Sequence, residues 1–160
     1  MFRFNLLLTL AWMALIGEFT FDSFVEGFIV TFFVVGLTNY YIRDERRGYF
    51  AQFWITSKVI MNFVKEVILA SFRVAYIVVS PKLNIRPAVV AIPLDIQDEE
   101  QITIFANMIT LTPGTLSLDL SDDKKTLYVH TIDMDNIDDF RAELKEGFEA
   151  QVMEITEWNK

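Results

Sequence analysis

FAQFWITSKVIMNFVKEVILASFRVAYIVV, residues 50–79, is the stretch on which the organisation of the chain turns. It is long and apolar enough to be taken for a membrane span, yet it carries Lys58, Asn62, Lys65, Glu66 and Arg73. At 100° per residue those side chains fall within an arc of roughly 100° on a helix. Trp54, Phe63, Val67, Ile68, Phe72 and Val79 lie mostly elsewhere. A lone lysine or arginine at mid-bilayer costs on the order of 2.5–3.5 kcal/mol on insertion scales. A helix lying in the membrane interface escapes that cost by turning its charged arc to water. Basic residues flank both ends, Arg43, Arg46 and Arg47 before it and Lys82 and Arg86 after it. Both ends then belong on the cytoplasmic side, and residues 49–80 read as an amphipathic interfacial helix. A third transmembrane helix is the alternative, and it would carry everything downstream to the outside.

Upstream lie two apolar runs. Phe2 to Phe21 is interrupted by Arg3, Asn5, Glu18 and a few threonines and glycines, and Phe24 to Ile42 mainly by Glu26, Thr31, Thr38 and Asn39. Each is roughly 19–20 residues, enough for a helix across about 30 Å of hydrocarbon. Gly17-Glu18-Phe19-Thr20-Phe21-Asp22-Ser23 is a short polar break between them, so residues 1–48 read as a transmembrane helical hairpin. A signal peptide would want a shorter apolar stretch and a small-x-small cleavage site, and the residues before Glu18 offer no convincing one. Arg43, Arg46 and Arg47, directly after the second run, mark the cytoplasmic end, while Asp44 and Glu45 count for little. Arg3 shares that side, and the loop bearing Glu18 and Asp22 faces outward.

The charge agrees with this division. Residues 1–94 carry six acidic and nine basic residues, and residues 95–160 carry sixteen and five, so +3 is followed by −11 to give the −8 of the whole chain. An apolar, slightly basic part followed by a compact acidic part is the pattern of a membrane anchor carrying a water-soluble domain. Apolar residues make up 52% of the sequence, with fifteen phenylalanines, a composition that needs lipid or a large partner surface to cover it. Cysteine is absent, which excludes disulfides, thiolate catalysis and Cys-ligated metal. His130 is the single histidine, so no multi-histidine metal centre forms within one chain. The acidic balance argues against nucleic acid, because no basic stripe exists to displace phosphate counterions.

Residues 81–160 read as a small cytoplasmic α+β domain. Ser80-Pro81 stops the preceding helix. Pro87 to Leu94 is a short buried strand, and Asp95 to Glu100 a polar turn whose carboxylates suit a helix N-terminus. That helix runs to about Ile109, with Ile102, Phe105, Ala106 and Ile109 at helical spacing. Thr112-Pro113-Gly114-Thr115 is a turn. Leu116, Leu118 and Leu120 alternate with Ser117, Asp119 and Ser121 as a half-buried strand, and Ser121 to Lys125 is a hairpin turn. Leu127, Val129 and Ile132 belong to the next strand. Asp135 or Asn136 caps a final helix through about Val152, with Phe140, Leu144 and Phe148 on its inner stripe. The order β-α-β-β-α resembles part of a ferredoxin-like sandwich.

Candidate chemistry is sparse. Asp133-Met134-Asp135-Asn136-Ile137-Asp138-Asp139 has the density of a calcium loop, but Ile137 stands where an EF-hand needs an oxygen ligand and Asp138 where it needs glycine. Helix capping and first-turn charge account for the cluster better. His130 lies in a strand with no plausible nucleophile nearby, which fits a hydrogen-bonded structural or interface histidine. Ionisable groups in a bilayer often mark ion paths, yet Glu26 near the outer end is the one such group well inside the two spans. Lys65 and Glu66 sit on the polar face of the third helix, so a proton relay has too few stations.

The stretch ANMITLTPGTLS, residues 106–117, lacks the glycine spacing and lysine of a phosphate-binding loop. Together with LYVHTID at 127–133 and NLLLTLAW at 5–12 it closely resembles the E subunit of Mrp-type multisubunit sodium/proton antiporters, the MrpE/MnhE family. The matching order of elements covers nearly the whole chain. The resemblance implies an accessory, non-conducting structural subunit of a multisubunit monovalent cation (Na+)/proton antiporter, supporting complex assembly and full antiport activity. It implies a place in a bacterial cell membrane, in which the apolar runs and flanking charges make the chain multi-pass with its C-terminal domain cytoplasmic. Its partners would be the other subunits and the bilayer, and the ion-translocating residues would lie on larger subunits. No cofactor, metal ligand or enzymatic residue is implied. Asn107, Thr110, Thr112, Pro113, Gly114 and His130 are expected to shape the domain or its contact with a neighbour. The residues alone also allow a stand-alone membrane-tethered sensory or regulatory domain for a small ligand.

Overall fold

A computed structural model describes residues 2–43, 48–81 and 85–156. The charges of Asp44, Glu45, Arg46, Arg47 and Lys82, and the side chain of Arg43, lie outside the described residues. Three helices come first, α1 (Phe2–Ile16), α2 (Phe21–Arg43) and α3 (Tyr49–Val79). They are followed by β1 (Ala88–Pro93), α4 (Glu99–Leu111), β2 (Thr115–Leu120) and β3 (Thr126–Thr131). A last helix begins as α5 (Ile137–Ala142), passes through a π-helical stretch at Glu143–Glu149 and ends as α6 (Ala150–Thr156). Two compact units divide between Trp54 and Ile55, inside α3.

In the first unit α1 and α2 pack as a hairpin. α1 is shorter than the apolar run suggested, 15 residues or about 22 Å. It stops because Gly17 adopts φ +80° and returns its N–H to the Met13 carbonyl at 2.9 Å, a left-handed helix cap. Three residues on, the Thr20 hydroxyl accepts from the Ser23 amide at 3.2 Å and starts α2. Phe21 therefore belongs to the second helix. That helix holds the one described segment, Phe21–Asn39, long and apolar enough to cross a membrane.

The hairpin closes on small residues and neutral polar groups. A Cβ at Gly27 would stand 2.7 Å from Cδ1 of Trp12, and one at Gly36 would collide with the Phe50 ring. Asn5 is fully buried, its carboxamide lying between the Tyr49 hydroxyl, 3.1 Å away, and the Thr31 hydroxyl. Thr9 donates to the Asn5 carbonyl at 2.9 Å and sits 3.0 Å from the Thr31 oxygen. Where water is scarce, such groups hold helices together by hydrogen bonds that hydrocarbon cannot replace. Phe32 adds a ring cluster with Tyr49, Phe50 and Phe53 at centroid distances of 5.1–5.2 Å.

In the second unit β3 lies between β1 and β2 and runs antiparallel to both. β1 and β2 are thus parallel with α4 as their crossover, a split β-α-β. The inner face of the sheet presents Val90, Ile92, Leu127 and Val129 to α4 and the last helix, where Phe105, Ile109, Leu144, Phe148 and Val152 complete the core. Asn136 caps α5, its Oδ1 accepting from the Asp138 amide at 2.9 Å.

One strand is oriented otherwise than its alternation suggested. Leu116 and Leu118 face out of the domain, and Leu118 remains 50% exposed. A bulge between Ser117 and Asp119 breaks the period of two, so Leu120 turns back towards the core. Ser117 faces inward instead and donates to the Ala106 carbonyl at 2.9 Å.

The turn at Ser121–Thr126 behaves as expected, with Lys124 at φ +57°. Hydrogen bonds from the Ser121 hydroxyl and the Lys125 amide hold the Asp123 carboxyl below the usual carboxylate range. The Lys124 ammonium, bonded to Glu99 at 2.5 Å, does the same for Glu99. Lowered folded-state values mean that both contributions are present at neutral pH and vanish as pH falls through those values. Acidification is therefore expected to lower the protection factor of the Lys125 amide, measured against its intrinsic exchange rate at each pH, before it lowers those of the core strands, a sequence that hydrogen exchange resolves.

Candidate functional site

α3 carries three distinct sectors over its second half. Phe63, Ala70, Val74 and Ile77 fall within roughly 60° of arc and meet the α+β domain. Phe63 stacks edge-on against Phe148 with centroids 6.2 Å apart. Met61, Val64, Ile68, Phe72 and Val79 occupy roughly 80° on the opposite side, and Phe72 is 72% exposed. Lys58, Asn62, Lys65, Glu66 and Arg73 fill the arc between these two on one side only. Over this half α3 is therefore covered on one face, charged on a flank and bare and apolar on the third.

Beneath α3 lies a cleft of about 370 Å³. Its floor is made by the turn that joins α4 to β2. The Thr112 carbonyl accepts from the Thr115 amide at 3.2 Å, with Pro113 and Gly114 at the two central positions and Gly114 at φ +93°. That is a type II turn, which needs a residue free to adopt positive φ at its third position. Here glycine also permits close approach, since a Cβ would stand 3.2 Å from both Ile132 and Val74. Thr112 is buried and donates to the Met108 carbonyl at 2.9 Å, and Thr115 donates to the Ile109 carbonyl at 2.6 Å, so two of the carbonyls at the α4 C-terminus are satisfied by the turn's own hydroxyls. Around the opening stand Glu66, Asp133, Asp135, Asp139 and Glu143, with Arg73 among them. Arg86 pairs with Asp133 at 4.0 Å and with Asp135.

Of the six residues singled out from the sequence, Thr112, Pro113 and Gly114 meet at this cleft. Thr110 lies at the sheet edge, where its hydroxyl accepts from the Ser117 amide at 3.2 Å. Asn107 is exposed on α4. His130 stands on the outer face of the sheet, level with Val89 and Leu116 on its neighbours. The acidic rim was not legible beforehand. Asp133 to Asp139 read as cap and first-turn charge, and nothing in the sequence joined them to Glu66 some seventy positions earlier.

A second buried charge cluster ties the last helix to the loop after β1. Glu149 is 1% exposed, and its Oε1 accepts from the amides of Asp95 at 2.7 Å and Ile96 at 3.1 Å. Lys145 approaches its Oε2 at 3.8 Å, pairs with Asp95 at 2.8 Å and donates to the Pro93 carbonyl at 3.0 Å. Arg141 donates to the Ala91 carbonyl at 3.1 Å. Both edges of the sheet are thus occupied by side chains, β1 by Arg141 and Lys145 and β2 by Thr110.

The described residues thus comprise a hairpin closed on neutral polar groups, a three-sectored helix and an acidic α+β domain. A protein-family model described as a Na+/H+ ion antiporter subunit matches residues 5–155, and the chain belongs to that family. The E subunit of the Na+/H+ antiporter of Alkalihalophilus pseudofirmus is 36% identical over 152 residues, covering 95% of both chains. Among solved structures, a chain of the membrane-bound sulfane sulfur reductase, an archaeal respiratory membrane complex, is 25% identical with a TM-score of 0.59, over 92% of this chain and 93% of that one. A chain of the Mrp complex from Dietzia sp. DQ12-45-1b is also 25% identical, with a TM-score of 0.49 over 63% of this chain and 94% of that one.

Proposed function

We propose that the chain is an accessory, non-conducting structural subunit of an Mrp-type monovalent cation/proton antiporter, supporting assembly and full antiport. Residues 1–48 form a membrane hairpin, residues 49–80 an interfacial helix, and residues 81–160 a ferredoxin-like domain on the cytoplasmic side. The three-sectored α3 carries this reading. Its bare apolar sector opposes the face that the domain covers, which supports a helix lying between domain and bilayer and argues against one that spans. The groups buried inside the hairpin, Asn5, Thr9 and Thr31, are uncharged, and Glu26 is exposed on α2, so the spans supply no relay of titratable groups. The other subunits of the complex and the lipid are its partners, and it works by binding them rather than by catalysis.

Two measurements test this. A C-terminal tag is expected to be shielded from protease in intact cells and cleaved once the membrane is permeabilised, and cleavage in intact cells would refute the cytoplasmic assignment. In mild detergent the tagged chain is expected to bring down large multi-span proteins. Recovery of a stable, monodisperse chain by itself would favour a stand-alone sensory domain.

A further inference from the structure

The cleft beneath α3 combines an apolar floor with a rim of five carboxylates, Glu66, Asp133, Asp135, Asp139 and Glu143, against which Arg73 and Arg86 set two positive charges. These carboxylates are strung along α3, the segment after β3 and the start of the last helix, and among the described residues no three acidic or histidine groups converge to hold a metal ion. A distributed anionic rim over apolar ground matches an extended segment with cationic side chains spaced along it, not a point ion. The volume, about 370 Å³, admits a few side chains rather than a whole helix. On the cytoplasmic side of a membrane that chemistry is concentrated in one place. Short loops between spans carry lysine and arginine in excess, because that excess sets their orientation.

We propose that the cleft docks a Lys/Arg-bearing cytoplasmic loop of a neighbouring membrane-spanning subunit. The inference rests on the cytoplasmic placement of the domain proposed above. Val74, Pro113 and Ile132 offer the loop apolar contact, and the carboxylates fix its register. Gly114 lets the turn close on Ile132 and Val74, since a Cβ there would stand 3.2 Å from both.

Because the chain has no cysteine of its own, a single label can be placed at will. Asp139→Cys, carrying a benzophenone maleimide, is irradiated in membranes from cells expressing the whole complex, with Asp122→Cys in the β2–β3 turn as comparison. The Asp139 label is expected to join another subunit through a peptide that contains lysine or arginine and lies in a cytoplasmic loop, at least about fivefold more than the Asp122 label does. The double reversal Asp139→Lys/Glu143→Lys is expected to lower recovery of that subunit, whereas Asp122→Lys/Asp123→Lys leaves it unchanged. If the reversed chain fails to accumulate, the cysteine label alone still decides. Crosslinks into this chain itself, into an acidic or membrane-embedded peptide, or none at all from an intact complex would overturn the proposal. A tag reached from outside, or a chain that purifies alone, removes the proposed function together with this inference. A cytoplasmic tag on an intact complex without the crosslink removes only the docking site.

Discussion

Glu149→Ala is expected to destabilise the α+β domain by about 3 kcal/mol, near the low end of what breaking a buried charge pair costs. Three losses combine. The amides of Asp95 and Ile96 forfeit their shared acceptor, and each buried, unsatisfied donor costs about 1–3 kcal/mol before relaxation. Lys145, itself half-buried, is left with Asp95 and the Pro93 carbonyl. The loop between β1 and α4, which Glu149 holds against the last helix, then lacks its main polar anchor. Glu149→Gln keeps one acceptor oxygen for the two amides and should lose clearly less. Pulse proteolysis of the purified full chain across a urea series measures both. Equal effects for Ala and Gln would show that charge, not acceptor geometry, holds the loop.

Gly27→Leu is expected to spring the α1–α2 hairpin. The new side chain meets Trp12 near its root, at Cβ 3.3 Å, Cγ 3.1 Å and Cδ1 2.7 Å, so rotating the indole does not clear it and the helices must part. Overpacking of this kind costs about 1–3 kcal/mol, roughly a five- to 150-fold shift in the closing equilibrium. The Thr9 and Thr31 oxygens stand 3.0 Å apart, so a Thr9→Cys/Thr31→Cys pair reports closure by forming a disulfide. That bond should form readily while Gly27 is in place and poorly once leucine replaces it. Gly147 offers the contrast, because a Cβ there meets nothing within 4 Å and Gly147→Ala should be neutral or stabilising by up to about 1 kcal/mol.

Much of the α+β half was legible because its punctuation is local. Pro113-Gly114, the Ser121–Lys125 turn and the Asn136 cap each fix their own backbone, whatever surrounds them. The charged arc of α3 was readable for a similar reason, since helical spacing alone places it. The leucine strand was misleading because alternation gives an inner face only while the ladder stays regular, and the bulge at Leu118 depends on the partner strand. The end of α1 was legible in the break that opens at Gly17, while hydropathy alone overran it to Phe21. The cleft lay beyond sequence reasoning altogether. It needs α3, the Thr112–Thr115 turn and the acidic segment after β3 in one place, and only the packed domain brings them there.

The plugged margins of the sheet bear on the life of the chain before it finds its partners. A bare strand recruits its like, and a component made in excess of its complex is the copy most exposed to that fate. With the guanidinium of Arg141, the ammonium of Lys145 and the hydroxyl of Thr110 already seated along the two borders, each border offers a supernumerary copy an interrupted ladder, which disfavours pairing before incorporation.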